Sequence, residues 1–395
     1  MSRVHVGLEN FLDNPPLWSK GRKIGLLCHQ ASVDAGLNHS STLLHSRFRS
    51  DLSCLFSPQH GPYAQKQDNM IESGDWIDES LGIPGFSLYG DTREPLPEHL
   101  SLIDMFVVDL QDVGTRVYTY LWTMLLAMRA CARQGVTFVV LDRPNPINGF
   151  GIEGNLLRRD CYSFIGMAPI PMRHGMTLAE LAIMFRDLED MDLDLHVVKM
   201  SGWNRSMYFD QTGLPWVWPS PNMPTLDSAI VYPGQVILEA TNISEGRGTT
   251  RPFEVFGAPY IDTDIILKRL RDWGVIEDNC GFVLRKQNFE PTFNKWSGKL
   301  CRGFQIHVLD RSRFSPYLLS LAVVSAITQE FPDDFSWKPP PYEYEFDRLP
   351  ADLILGDRSV KLSVERGSSP VTMKSSWEGD VRSFLEMRRD YLLYS

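Results

Sequence analysis

The sequence predicts an α/β protein: a mostly parallel sheet domain over residues 1–229, followed by a smaller α+β domain over 230–395. Short apolar runs rich in β-forming residues recur through the first half, at 23–28, 52–57, 105–110, 137–141 and 196–200. Helical patterns alternate with them, and near-continuous apolar strands between helices belong to a sheet covered on both faces. A length of 395 residues also exceeds one domain at roughly 150 residues each.

The clearest helix is predicted over 117–131, where Val117, Tyr120, Leu121, Met124, Leu125, Met128 and Cys131 follow 3-and-4 spacing. A second starts at Thr177, with Glu180 three residues on as a capping box. Residues 216–259 hold many prolines and glycines, and their aromatics (Trp216, Trp218, Tyr232, Phe253, Phe256) predict an ordered, functional segment. Beyond it the pattern predicts short strands at 281–284 and 303–309 and a helix over 317–329. A break at 337–341 precedes a final helix over 379–393.

Several function classes are excluded. With 39 Lys+Arg against 49 Asp+Glu, a net charge of −10 gives no basic footprint for nucleic acid and no polybasic patch for a membrane. No apolar run reaches a membrane-spanning length, and no signal peptide is visible, so a cytoplasmic location is expected. The six cysteines are scattered without a CxxC, and no paired-histidine motif suggests a metal. A literal GxGxxG lies at Gly149–Gly154, but two prolines separate it from the preceding strand and no helical pattern follows. A dinucleotide is therefore not expected there.

In a parallel sheet the ligand crevice lies beyond the carboxyl ends of the strands. The segments in that position are 29–30, 58–61, 88–90, 111–116 and 142–146, all dense in polar residues, Gly or Pro. The densest polar constellation is 239–250, with two carboxylates (Glu239, Glu245), Asn242, several hydroxyls and Arg247. Paired carboxylates are what glycoside hydrolysis requires, one to protonate the leaving oxygen and one as nucleophile or base. The alternative for Glu245 and Arg247 is a buried ion pair that holds the loop. The rigid stretch Pro219-Ser-Pro-Asn222-Met-Pro224 either presents Asn222 or serves as a connector.

Long motifs in fixed order carry a resemblance. SPQHG (57–61), SLYG (87–90), DLQDVGTRVYTY (109–120), VLDRPNP (140–146), EGN (153–155), IPMRHGMT (170–177), TGLPWVWPSPNMPT (212–225), VYPG (231–234) and EATNISEGRGTTRPFE (239–254) together resemble the DUF1343 family, exo-β-N-acetylmuramidases of the NamZ type. The resemblance spans nearly the whole chain. It implies a Rossmann-like N-terminal domain, a cleft against the C-terminal domain, no cofactor, and release of terminal β-linked N-acetylmuramic acid from peptidoglycan fragments. Glu245 or Glu239 is expected to supply one carboxyl role and Asp112 another, with His60 beside them. Arg116, Arg143 and Arg247 are candidates for the lactyl carboxylate, because a guanidinium matches a carboxylate in a bidentate fork. Gln59, Asn145, His174, Asn222 and Asn242 complete the expected sugar-binding set. The family pattern has Glu where this chain has Gln59, and a glutamine cannot exchange a proton. That substitution leaves open a second reading, a sugar-binding homologue without turnover.

Overall fold

The structure is a computed structural model and describes residues 3–67 and 70–395. Seven strands form the main sheet: β1 (Ile24–Cys28), β2 (Leu52–Ser57), β3 (Trp76–Asp78), β4 (Ile83–Ser87), β5 (Met105–Asp109), β6 (Thr137–Leu141) and β7 (Leu195–Val198). Their order is β3-β4-β2-β1-β5-β6-β7, parallel throughout except for β3, which closes the edge antiparallel to β4. Every residue of β1, β5 and β6 is buried, as expected for strands covered on both faces. The chain leaves β1 toward β2 on one side and returns through β5 and β6 on the other. The crevice is therefore expected outside the carboxyl ends of β1 and β5.

A second, smaller domain carries the antiparallel sheet of β8 (Val255–Ala258), β9 (Phe282–Phe289) and β10 (Cys301–Val308), in the order β8-β10-β9. Helices Leu226–Gln235 and Pro316–Glu330 pack together beside it. They approach so closely at Gly234 that a Cβ there would lie 1.9 Å from the Pro316 carbonyl oxygen. The helix Leu226–Gln235 runs across the 229/230 seam, and one apolar cluster holds both Phe106 of the first sheet and Phe304 of the second. A separate cluster, including Phe11, Leu26 and Val139, covers the other face of the main sheet.

Several elements differ from expectation. The helix predicted from Val117 runs Tyr120–Gln134, because residues 115–116 first pair with 172–173. The Arg116 amide donates to the Met172 carbonyl at 2.8 Å. The segment 216–259 contains a helix despite Pro233, then a 3₁₀ turn, Val236–Ala240, and β8. The last helix begins at Pro370, capped by Ser369, and ends at Met387. Gly379 lies mid-helix on the solvent side rather than at a start. Helices Gly7–Asp13, Ser40–Phe48, Pro97–Leu100, Pro350–Leu355 and Arg358–Glu365, and strands β3 and β4 at one end of the sheet, are not among the predicted elements.

Two buried polar centres join distant parts of the chain. Arg116 is fully buried, and its Nη1 and Nη2 donate to the carbonyls of Asn155, Ile170, Ile354 and Leu355 at 2.9–3.1 Å. Asp142, at the end of β6, accepts from Thr177 Oγ1 at 2.8 Å, the Ala179 amide at 3.1 Å and Tyr394 Oη at 2.6 Å. Burial pushes its carboxyl up to about 7, more than these hydrogen bonds pull it down.

The folded state therefore holds the Asp142 proton more tightly than the unfolded chain does. Its contribution is complete below about pH 4, is lost as pH rises to about 7, and is constant above. Asp142→Asn keeps the uncharged form. The stability difference, variant minus wild type, is expected to grow by about 4 kcal/mol between pH 4 and pH 8 in urea titrations. A difference independent of pH would refute the shifted titration.

Candidate active site

The turn after β2 carries Gln59 and His60 at the bottom of a cleft between the two domains. Thr119 Oγ1, at the mouth of the helix Tyr120–Gln134, donates to Gln59 Oε1 at 2.6 Å and so fixes which way the amide points. Gln59 Nε2 then faces Glu343 Oε1 at 3.0 Å and Tyr89 Oη at 3.1 Å. His60 is held in left-handed backbone (φ +76°), and its Nδ1–H donates to the Lys66 carbonyl at 2.7 Å. Burial lowers the His60 imidazole to about 4, outweighing that hydrogen bond, so at neutral pH the ring is uncharged and Nε2 is an acceptor.

The opposite wall comes from the second domain. Glu239, on the 3₁₀ turn, accepts from Arg247 Nη2 at 2.7 Å and Tyr342 Oη at 2.6 Å. Arg247 Nε lies 3.3 Å from Glu245, which in turn lies 2.7 Å from Lys295 Nζ. The result is a buried row of alternating charge: Glu239, Arg247, Glu245, Lys295. Burial pushes the Glu239 carboxyl up, but Arg247, the Tyr342 hydroxyl and Lys295 outweigh it and hold the group below the usual carboxylate range. Ser220, Asn222 and Met223 close the side of the cavity with Tyr118, Thr119 and Tyr120. Asn222 Nδ2 donates to the Gln67 carbonyl at 2.8 Å, so the proline-rich stretch presents it inward.

Of the residues singled out from sequence, Gln59, His60, Asn222, Glu239 and Arg247 line this one cavity. The others stand outside its lining. Asp112 Oδ2 accepts from the Gly114 amide at 2.6 Å and lies 3.5 Å from His174 Nε2. It therefore caps its own turn rather than the helix that follows. Arg143 forms a two-pronged pair with Asp109 at 2.6 and 2.8 Å. Asn145 donates to the Met176 carbonyl, and Asn242 to that of Asp334. Glu245 is the structural partner of Arg247 and Lys295, and Arg116 is committed to backbone carbonyls.

Sequence reasoning missed Tyr342 and Glu343, which line the cavity. Their segment reads as a break because of Pro339-Pro340-Pro341. The alternation Tyr342-Glu343-Tyr344-Glu345 directly after those prolines was the available signal. With these side chains in place the cavity is about 30 Å³, room for a water molecule or two. Among the described residues no cluster of three or more His, Cys, Asp or Glu is arranged to hold a metal ion.

Two family models match the chain: "Exo-beta-N-acetylmuramidase NamZ, N-terminal" over residues 24–227 and "Exo-beta-N-acetylmuramidase NamZ, C-terminal" over 230–394. The chain belongs to the NamZ family. A curated NamZ relative, the peptidoglycan β-N-acetylmuramidase of Bacillus subtilis (strain 168), is 41% identical over 392 residues, covering 99% of this chain and 92% of that protein. Two crystal structures of DUF1343 family proteins from Bacteroides fragilis NCTC 9343 share the NamZ-family fold. One has a TM-score of 0.87 at 32% identity, the other 0.76 at 29%, each spanning 100% of this chain and 99% of theirs.

Proposed function

We propose that this chain is an exo-acting glycosidase that releases terminal β-linked N-acetylmuramic acid from peptidoglycan fragments. The supporting observation is Glu239: a buried carboxylate that Arg247 keeps ionised while it faces the interdomain cavity. An ionised carboxylate under the sugar ring is what either a nucleophile or a water-activating base has to be. Gln59, Asn222, Ser220 and the neutral His60 ring offer donors and acceptors of the kind that hydroxyl and N-acetyl groups need. Arg247 is the one sequence-nominated arginine on the cavity wall, and so the candidate to face the lactyl carboxylate.

A pyranose is larger than the present cavity, so binding requires the lining side chains to yield. The six cysteines, all free, suit a reducing compartment, which supports a cytoplasmic site of action. No helix is long and apolar enough to cross a membrane among the described residues.

Purified protein is expected to release N-acetylmuramic acid from a chromogenic β-muramic acid glycoside and from the disaccharide N-acetylmuramyl-N-acetylglucosamine. Failure to turn over either substrate, beside an active relative as control, would reject the hydrolase reading.

A further inference from the structure

We propose that Glu343 is the general acid of this site, a carboxyl brought from the second domain by the segment 331–349 and aimed at the glycosidic oxygen by Gln59 and Tyr89. This rests on the glycosidase reading above and assigns to it the group that carries the proton.

Four observations support the assignment. First, Glu343 lines the cavity and is 5% exposed, so it meets whatever binds there. Second, its partners are neutral donors. Gln59 Nε2 reaches Oε1 at 3.0 Å and Tyr89 Oη reaches Oε2 at 2.7 Å, and among the described residues no arginine or lysine forms an ion pair with it. A buried carboxyl without a cation favours its protonated form. Third, Gln59 is itself fixed by Thr119 and cannot titrate, so the proton available at this corner is that of Glu343. Fourth, Glu343 and Tyr344 both occupy left-handed backbone, at φ +46° and +66°, an uncommon conformation for side chains of this size. Such conformations persist where the surroundings require them, and they cluster at functional sites.

Electrostatics agrees with geometry. Burial raises the Glu343 carboxyl, and the nearby Glu239 charge adds to the shift. The hydrogen bonds from Tyr89 and Gln59 and the Arg247 charge oppose it without cancelling it. Tyr232 and Tyr342, the other titratable side chains in its field, are themselves raised well above the ordinary range by burial and stay neutral. Two carboxyls on one cavity are thus biased apart, Glu239 toward the anion and Glu343 toward the acid.

In the step assigned to it, the C1–O bond of the muramic residue breaks and its electron pair stays on the departing oxygen. The Glu343 proton moves to that oxygen. The new bond at C1 forms from the Glu239 carboxylate or from a water that Glu239 deprotonates. Overall, water supplies hydroxide to the sugar and a proton to the leaving group.

The test compares leaving groups. For Glu343→Gln, kcat/KM on the disaccharide is expected to fall about 10²–10⁴-fold. On a dinitrophenyl muramic acid glycoside, whose leaving group departs without protonation, the fall should be at most several-fold. Equal losses on both substrates, or no loss on either, would overturn the assignment. Glu343→Asp, which keeps a carboxyl, should recover part of the disaccharide rate. The wild-type protein gives an independent readout should the variants fold poorly. Its disaccharide kcat/KM should decline on the alkaline side, while the dinitrophenyl glycoside lacks that decline. A shared decline would count against Glu343. An inactive wild type on both substrates would instead sink the glycosidase reading itself.

Discussion

Glu239→Gln is expected to lower kcat by about 10³-fold on both chromogenic and disaccharide substrates, because it removes the ionised carboxylate from the cavity wall. Unlike Glu343→Gln, its effect should not depend on the leaving group. The group acts on the sugar carbon or on water, whatever departs. Gln is close in shape, and its single oxygen can still accept from either Arg247 Nη2 or Tyr342 Oη, which lie 2.7 and 2.6 Å from the two separate carboxylate oxygens. It cannot accept at both positions through oxygen, so one of these hydrogen bonds is lost. Arg247 retains its contact with Glu245, so its buried charge is not stranded. A loss of about 1–3 kcal/mol is expected, within what a cooperative fold of this size tolerates. Steady-state kinetics together with urea unfolding separates the two effects. Activity within tenfold of wild type would remove Glu239 from the chemistry.

Arg116→Ala is expected to have the largest effect on stability, about 4 kcal/mol or more. Four carbonyls lose this donor at once, although that of Leu355 keeps a second one in Asn155 Nδ2 at 2.9 Å, and each buried acceptor left unpaired costs roughly 1–3 kcal/mol when water cannot reach it. The guanidinium is bound so deeply that burial lowers it to about 10, with no ion pair among the described residues to offset the cost. It is retained because its planar fork reaches carbonyls on two separate segments, 155–170 and 354–355, which a single ammonium cannot span. Arg116→Lys should therefore recover less than half of the loss. Unfolding in urea measures both variants. Were Arg116→Ala to leave stability unchanged and raise KM for muramic acid substrates, the side chain would be a ligand for the lactyl group after all.

The main sheet was legible because buried parallel strands are continuous apolar runs, and the turns after β1, β2, β4, β5 and β6 fall on one edge as such sheets require. The capping box also reads directly: Thr177 accepts from the Glu180 amide at 3.3 Å, and Glu180 returns a bond to the Thr177 amide at 3.0 Å. The helix holding Pro233 did not read, because tertiary packing of Gly234 against Pro316 outweighs a poor local propensity. At the site, residue type reveals chemistry but not direction. Arg143, Asp112 and Glu245 carry the same groups as Arg247, Glu239 and Glu343. Only the register of the turn decides which face the cavity and which pair behind its wall. Glu343 was invisible for a related reason. Its partners Gln59 and Tyr89 are 284 and 254 residues away in sequence, and no local pattern encodes a contact of that span.

The Tyr394 hydroxyl on Asp142 and the Leu393 amide on Glu180 Oε1 are bonds across 252 and 213 residues. During synthesis, the wall behind β6 stays unsealed until those residues emerge from the ribosome. A nascent first domain therefore completes this wall only after the second has been synthesised, and a chain cut before Leu393 lacks both bonds.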